Sequence, residues 1–360
     1  MPIALNADFL ATLTQQVLWA TFASSVIFGF VAQRSHFCTM GAVSDIVNLK
    51  DWSRMHMWAI AAAVAILGFA SISYTGMIDP SKALYVSPKV LWLSALVGGL
   101  MFGFGMVLAS GCANKTLLRI SSGSLKSLIV FVVMGVAAFA TLKGITAVLR
   151  VNTVDLFSFA APVLTVTIRL VLSAVIALTL LVWALRNPSV RQMSVVLPSV
   201  VIGAMIVCVW YASGKLGYIQ EHPDTLQEAF LATNSGRMES LSFVAPIAYV
   251  IDWLMLFSDK SKVLTLGMAS VFGVVVGGFL EAKISKTFRW EGFGSIEDVA
   301  NHLGGGVLMG VGGVTAMGCT IGQGLSGLST LALGSFIALA GIVAGAVIAF
   351  KYQIWRLDRM

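Results

Sequence analysis

Residues 303–319 read LGGGVLMGVGGVTAMGC, and residues 96–112 read LVGGLMFGFGMVLASGC. Laid one on the other they agree at nine of seventeen positions, among them Gly98/Gly305, Gly99/Gly306, Gly103/Gly310, Gly105/Gly312, Gly111/Gly318 and Cys112/Cys319. Each run is apolar and nearly long enough to cross about 30 Å of hydrocarbon at about 1.5 Å per residue. Gly99-x-x-x-Gly103 and Gly306-x-x-x-Gly310 are spaced for close packing of helices inside a membrane. The pair therefore predicts an internal repeat in an all-α polytopic membrane protein.

Composition agrees. The chain has 360 residues, 58% hydrophobic and only 11% charged, with a mean hydropathy of +0.91. Soluble domains are roughly half apolar and a quarter charged, so a soluble enzyme is excluded, as are disorder and collagen repeats. The net charge of +7 marks no nucleic-acid partner, because no two Lys/Arg residues adjoin and no basic stripe alternates with aromatics. Four cysteines without a C-x-x-C pair make neither a disulfide framework nor a zinc site, and no cofactor is expected. The opening MPIALNADFLATLTQQ has no basic n-region, so its apolar run reads as a retained span.

Runs of spanning length lie near 12–33, 57–76, 90–111, 125–142, 163–185, 193–213, 262–281, 303–319 and 330–350. A further stretch, 243–257, is short and carries Pro246 and Asp252, so it reads as re-entrant or interfacial. Nine spans with the N-terminus outside put fourteen Lys/Arg residues on inner loops, Arg34, Lys115, Arg119, Arg289 and Arg359 among them, and eight outside. A tenth span reverses or flattens that bias, so nine spans, N-out and C-in, obey the positive-inside rule. The expectation is one transmembrane domain over 1–360, with repeat hairpins 96–142 and 303–350. An outer polar loop, 214–242, carries Glu221, Asp224, Glu228 and Glu239 and is read as a cap or a linker. Arg169, inside a span, is expected to snorkel outward.

In this map the two Gly-Cys turns face opposite sides, which makes the repeat inverted. Such repeats build substrate paths near the midplane from discontinuous helices. The run Gly318-Cys319-Thr320-Ile321-Gly322-Gln323-Gly324-Leu325-Ser326-Gly327 reads as an open turn whose backbone N–H groups form an anion nest. Cys38 sits past the first span beside Arg34, and it joins Cys112 and Cys319 at span ends among Gly, Thr and Ser. Cys208, mid-span, reads as a small buried hydrophobe. A thiol is a weak, polarisable donor, suited to holding a sulfur-bearing anion without trapping it. The candidate path residues are Cys38, Cys112, Cys319, Arg34, Gly111, Lys115, Gly318, Thr320 and Gln323. A membrane thiol oxidoreductase is the competing class, disfavoured by cysteines 74 and 207 residues apart.

At these motifs the chain resembles the YeeE/YedE family of bacterial inner-membrane proteins, whose members include thiosulfate-uptake transporters. The matching blocks are Phe28-Gly29 through Gln33-Arg34-x-x-Phe37-Cys38, the hairpin from Gly98 to Cys112, Phe288-Arg289, and Gly304 through Gly324. The resemblance implies an hourglass-like, pseudo-two-fold fold in which Cys38, Cys112 and Cys319 pass thiosulfate by S–H hydrogen bonds, and no enzyme. It also implies a cytosolic TusA/SirA-like sulfur-carrier partner. Transport of another sulfur or selenium compound, and a scaffold for the carrier, are the alternatives within it. The chain departs from the family pattern at Ala113-Asn114-Lys115-Thr116 and at His36, and the extra Lys115 bears on anion selectivity.

Overall fold

The computed structural model describes residues 7–162, 164–223 and 225–358. Residues 1–6, with the start of the N-terminal run, and Asp224 and Arg359 lie outside them. The chain is almost wholly helical: α1 (Ala7–Arg34), α2 (Thr39–Ser44), α3 (Ser53–Tyr74), α4 (Trp92–Leu108), α5 (Ala113–Ser121), α6 (Leu125–Lys143), α7 (Ile145–Val151), α8 (Val166–Leu185), α9 (Met193–Tyr211), α10 (Val244–Met255), α11 (Leu266–Ile284), α12 (Ile296–Thr315) and α13 (Leu333–Leu357). Two short antiparallel ladders lie in loops, β1 (Lys89–Val90) with β2 (Phe159–Ala160), and β3 (Tyr218–Ile219) with β4 (Ala229–Phe230).

Eight helices among the described residues are long and apolar enough to cross a membrane. The ninth expected span is α12, whose hydropathy is diluted by Asp298, Asn301, His302 and its glycines. It nonetheless packs along α4 and α6 as a full-length partner. With 12 residues, about 18 Å, α10 falls short of a bilayer.

Glycine contacts fix helix directions. A Cβ on Gly305 would meet the Gly105 carbonyl at 2.6 Å, and one on Gly312 would meet the Gly98 carbonyl at 2.6 Å. Hence α4 and α12 cross antiparallel, backbone on backbone. Gly273 faces Phe22 and Ser25 of α1 while Gly277 faces Val26, so α1 and α11 run parallel. Were α10 a full crossing, α11 would run against α1. Packing therefore selects the same odd topology as the charge count.

The crossing is also self-complementary. Gly98 of the first copy meets the second copy's Gly312, the equivalent of Gly105, while Gly105 meets Gly305, the equivalent of Gly98. Gly99 and Gly103 seat α4 on α13, and Gly306 and Gly310 seat α12 on α6. Each repeat's first helix thus packs on the other's second helix, the reciprocity expected of a pseudo-two-fold axis.

Loop 214–242 is no free linker. Met238 and Leu241 are fully buried, Arg237 donates to the carbonyls of Ser81 and Val86 at 3.0 and 3.1 Å, and Lys82 pairs with Glu228. The segment folds onto the α3–α4 loop as a cap.

Two expectations are corrected. Arg169 turns inward, 8% exposed, because its Nη1 reaches the Thr330 carbonyl at 3.0 Å instead of a membrane interface. Cys208 lies on the exposed outer face of α9, since the helix turns Ile206 and Val209 to the core.

Candidate functional site

Three chain reversals of one design set the cysteines. At the end of α1, α4 and α12 a residue adopts left-handed backbone: His36 at φ 52°, Ser110 at 56° and Met317 at 58°. The next amide returns to the carbonyl five residues back, Phe37 to Ala32 at 3.0 Å, Gly111 to Met106 at 2.8 Å and Gly318 to Gly313 at 2.8 Å. This closes the helix with a Schellman-type turn. In each case the following residue is cysteine, and its carbonyl begins the next helical turn by accepting from Ala42, Thr116 or Gln323.

The turns bring Cys38, Cys112 and Cys319 inside the protein, at 8, 1 and 0% exposure. The Cys38 and Cys112 side chains interact directly, and Thr320, next to Cys319, lies beside the Cys112 thiol. Cys38 and Cys112, 74 residues apart in the chain, therefore meet in space, and the turn that carries Cys319 reaches Cys112 through Thr320. The Cys38 sulfur accepts the Gly41 amide and the Cys319 sulfur accepts the Gly322 amide, both at 3.4 Å. With sulfur as acceptor, each S–H stays available to donate, and the amide dipole strengthens that donor.

Long polar side chains close over the glycines that precede Cys112 and Cys319. A Cβ on Gly111 would lie 3.3 Å from the Lys115 stem, and one on Gly318 would lie 3.1 Å from Gln323 Cγ. Gln323, 4% exposed, donates through Nε2 to the Ala316 carbonyl, while its Oε1 has no partner. Lys115 sits where its charge acts on both thiols. Arg54, which the sequence did not single out, lies against Gly41 and pairs with Asp45 at 3.2 Å. Arg34 remains at the rim, 67% exposed in its side chain and 3.7 Å from Glu281. Arg119 takes no ion pair among the described residues, and Arg289 bonds its backbone to Ser122.

The expected open nest does not extend over Gly322 to Ser326. From Gly322 to Ser326 the amides return to Cys319, Thr320 and Ile321, and the run winds as a wide helical turn, Gly322–Gly327, fully buried. Glycine here permits tight packing against Tyr85, Ser242 and Trp58 and leaves those N–H groups satisfied.

Met317, two residues before Cys319, lines two cavities. One, about 360 Å³, runs under the cap and is lined by Glu239, Arg150, Asp155 and Tyr249. Burial pushes the Glu239 carboxyl up, against the opposing bonds from the Ser235 hydroxyl and amide. The other, about 160 Å³, is lined by Tyr85, Arg169, Gln323 and Ser335. Burial pushes the Tyr85 phenol up, so it stays a protonated donor. Arg54, Tyr85, Arg169 and Glu239 come to these places through tertiary packing, and no local motif marks them. No cluster able to hold a metal ion occurs among the described residues.

A family model described as sulphur transport matches residues 34–348. The thiosulfate transporter TsuA of Escherichia coli (strain K12) is 28% identical over 330 residues, 89% of this chain and 90% of that protein. The thiosulfate transporter TsuA of Spirochaeta thermophila is 25% identical over 350 residues, 91% of this chain and 97% of that protein. The probable transporter YedE of Escherichia coli (strain K12) is 34% identical over 118 residues, 32% of this chain and 27% of that protein.

Proposed function

Since the chain belongs to the sulphur transport family, whose model matches residues 34–348, we propose that this multi-pass membrane protein imports thiosulfate past Cys38, Cys112 and Cys319. The observation that carries the reading is that three equivalent helix-ending turns each bury a free thiol, with Cys38 against Cys112 and Thr320 of the third turn beside them. Thiosulfate presents a terminal sulfur and three oxygens, all acceptors. A donor of S–H type grips such an anion weakly enough to release it. Lys115 supplies attraction beside Cys112, and Gly111 and Gly318 let the chain reverse without a side chain in the path. Thr320 and Gln323 offer the polar contacts next to Cys319, and Arg34 draws anions at the inner rim. No covalent step is required, so the protein acts as a transporter and not as an enzyme.

The setting of this reading is the bacterial inner membrane, N-terminus outside and C-terminus inside, with residues 1–360 acting as one unit. A TusA/SirA-like sulfur carrier docked on the inner loops would take the delivered sulfur. A second reading, a membrane thiol redox protein, draws on the adjacency of Cys38 and Cys112. A Cys38–Cys112 disulfide trapped during turnover would favour it.

The test is uptake of labelled thiosulfate into cells lacking their own importers. Wild type is compared with Cys112→Ala, Cys319→Ala and the outward-facing Cys208→Ala at matched expression. Loss in the first two alone is expected. No uptake by wild type turns the reading to another sulfur or selenium anion, or to a scaffold that binds the carrier without flux.

A further inference from the structure

The smaller cavity holds a charge that no ion pair among the described residues balances. Arg169 projects from the first turns of α8 into its wall. Its Nη1 is bonded to the Thr330 carbonyl at 3.0 Å, and its Nε has no partner. None of the ion pairs among the described residues includes it. Asp79, whose charge is felt there, stands beyond ion-pair distance. A buried guanidinium satisfied by one carbonyl is an incomplete arrangement, because a charge removed from water needs a counter-charge.

The rest of the wall suits an anion. Residues Leu333 to Ser335 form the first turn of the 25-residue α13, so the positive end of that helix dipole borders the space. Ser335, 2% exposed, carries a hydroxyl without a partner, and Lys89 adds a second cation. At about 160 Å³ the cavity is the size of one that admits benzene, about 150 Å³. Gln323 belongs both to this wall and to the turn that carries Cys319.

We infer that this cavity is a binding site for a tetrahedral sulfur oxyanion, with Arg169 as the residue that recognises it before it reaches Cys319. The inference rests on the transport reading for the identity of the anion. It divides the labour of the path: a planar guanidinium fork selects and holds oxygens, and thiols conduct.

The purified protein in detergent is melted with sodium thiosulfate, sulfate or chloride at equal ionic strength, alongside Arg169→Gln and Arg169→Lys. Thiosulfate is expected to stabilise wild type at millimolar concentration. Arg169→Gln is expected to weaken that apparent affinity roughly tenfold or more, the worth of a charge-assisted hydrogen bond. Without anion, Arg169→Gln is expected to melt at or above wild type, since an unbalanced charge is removed. An arginine with a purely structural role would give the opposite. Arg169→Lys keeps the charge but not the fork, so it remains foldable and is expected to bind severalfold more weakly than wild type. Wild-type affinity in either variant overturns the site, as does wild type indifferent to thiosulfate and sulfate. Uptake distinguishes the two claims: flux with an unchanged half-saturation in Arg169→Gln sinks the site alone, and Arg169-dependent binding without flux sinks the transport reading alone.

Discussion

Among single residues, Lys115 joins structure and charge most tightly. Its stem covers Gly111 and its ammonium acts on the Cys38 and Cys112 thiols. Lys115→Met keeps the stem and deletes the charge. We expect half-saturation for thiosulfate to rise roughly tenfold, about 1.4 kcal/mol, with the maximal rate largely kept, in initial-rate uptake measurements. Glu239 is the pH-sensitive counterpart. Burial raises its carboxyl above the ordinary value, so its neutral form is favoured in the folded protein. The folded state then binds more protons than the unfolded one, and stability from this group is present at low pH and lost as pH rises through the raised value. Melting of Glu239→Gln against wild type from mildly acid to neutral pH should show the variant gaining relative to wild type as pH rises. The thiols were legible in the sequence because each follows a helix-ending turn among small residues. Arg54 and Arg169 were not, since each reaches its place across elements distant in the chain.

At the scale of elements, glycine specifies the fold by what cannot stand in its place. Neighbouring positions of α12 separate packing from propensity. A Cβ at Gly305 would meet the Ala109 amide and the Gly105 carbonyl, both at 2.6 Å, and both are backbone that cannot swing aside. At Gly304 a Cβ meets nothing within 4 Å. Gly305→Ala is therefore expected to cost about 1–3 kcal/mol and lower the melting temperature. Gly304→Ala is expected to raise it slightly, because alanine is favoured over glycine in a helix by about 1 kcal/mol. The repeat was readable from sequence for the reason this test exploits: a backbone crossing admits only glycine on both sides, so the duplicated pattern survives. The turn Gly322–Gly327 was misread for a related reason. Glycines signal close approach as well as open backbone, and here close approach to Tyr85, Ser242 and Trp58 decides. The α10 segment was placed correctly by length, and parallel packing of α1 on α11 gives the independent physical ground.

The whole molecule must reconcile a path built for weak binding with an unfavourable field. Moving one charge against 100 mV costs about 2.3 kcal/mol, so a dianion entering an inside-negative cell faces about 4.6 kcal/mol. At about 1.36 kcal/mol per factor of ten, this excludes the anion by roughly three orders of magnitude. Co-transported cations would offset the cost, and carboxylates would carry them. Asp252 is held by Lys262, while Glu281, buried and 3.7 Å from the exposed Arg34, keeps an oxygen without a hydrogen-bond partner. The residues grouped with the thiols are Lys115 and Thr320, neither of them acidic. If the proposed path carries no cation, it is a uniport, and net uptake then depends on chemical consumption of thiosulfate inside. Proteoliposomes of the purified protein, with potential imposed by a potassium gradient and valinomycin, separate the cases. We expect the internal thiosulfate level to fall below the external one as the interior is made negative, and to rise again when a thiosulfate-consuming enzyme is enclosed. Accumulation that follows an imposed pH or sodium gradient instead would show that a cation travels with the anion, and would make Glu239, the raised carboxyl in the larger cavity, the first group to replace.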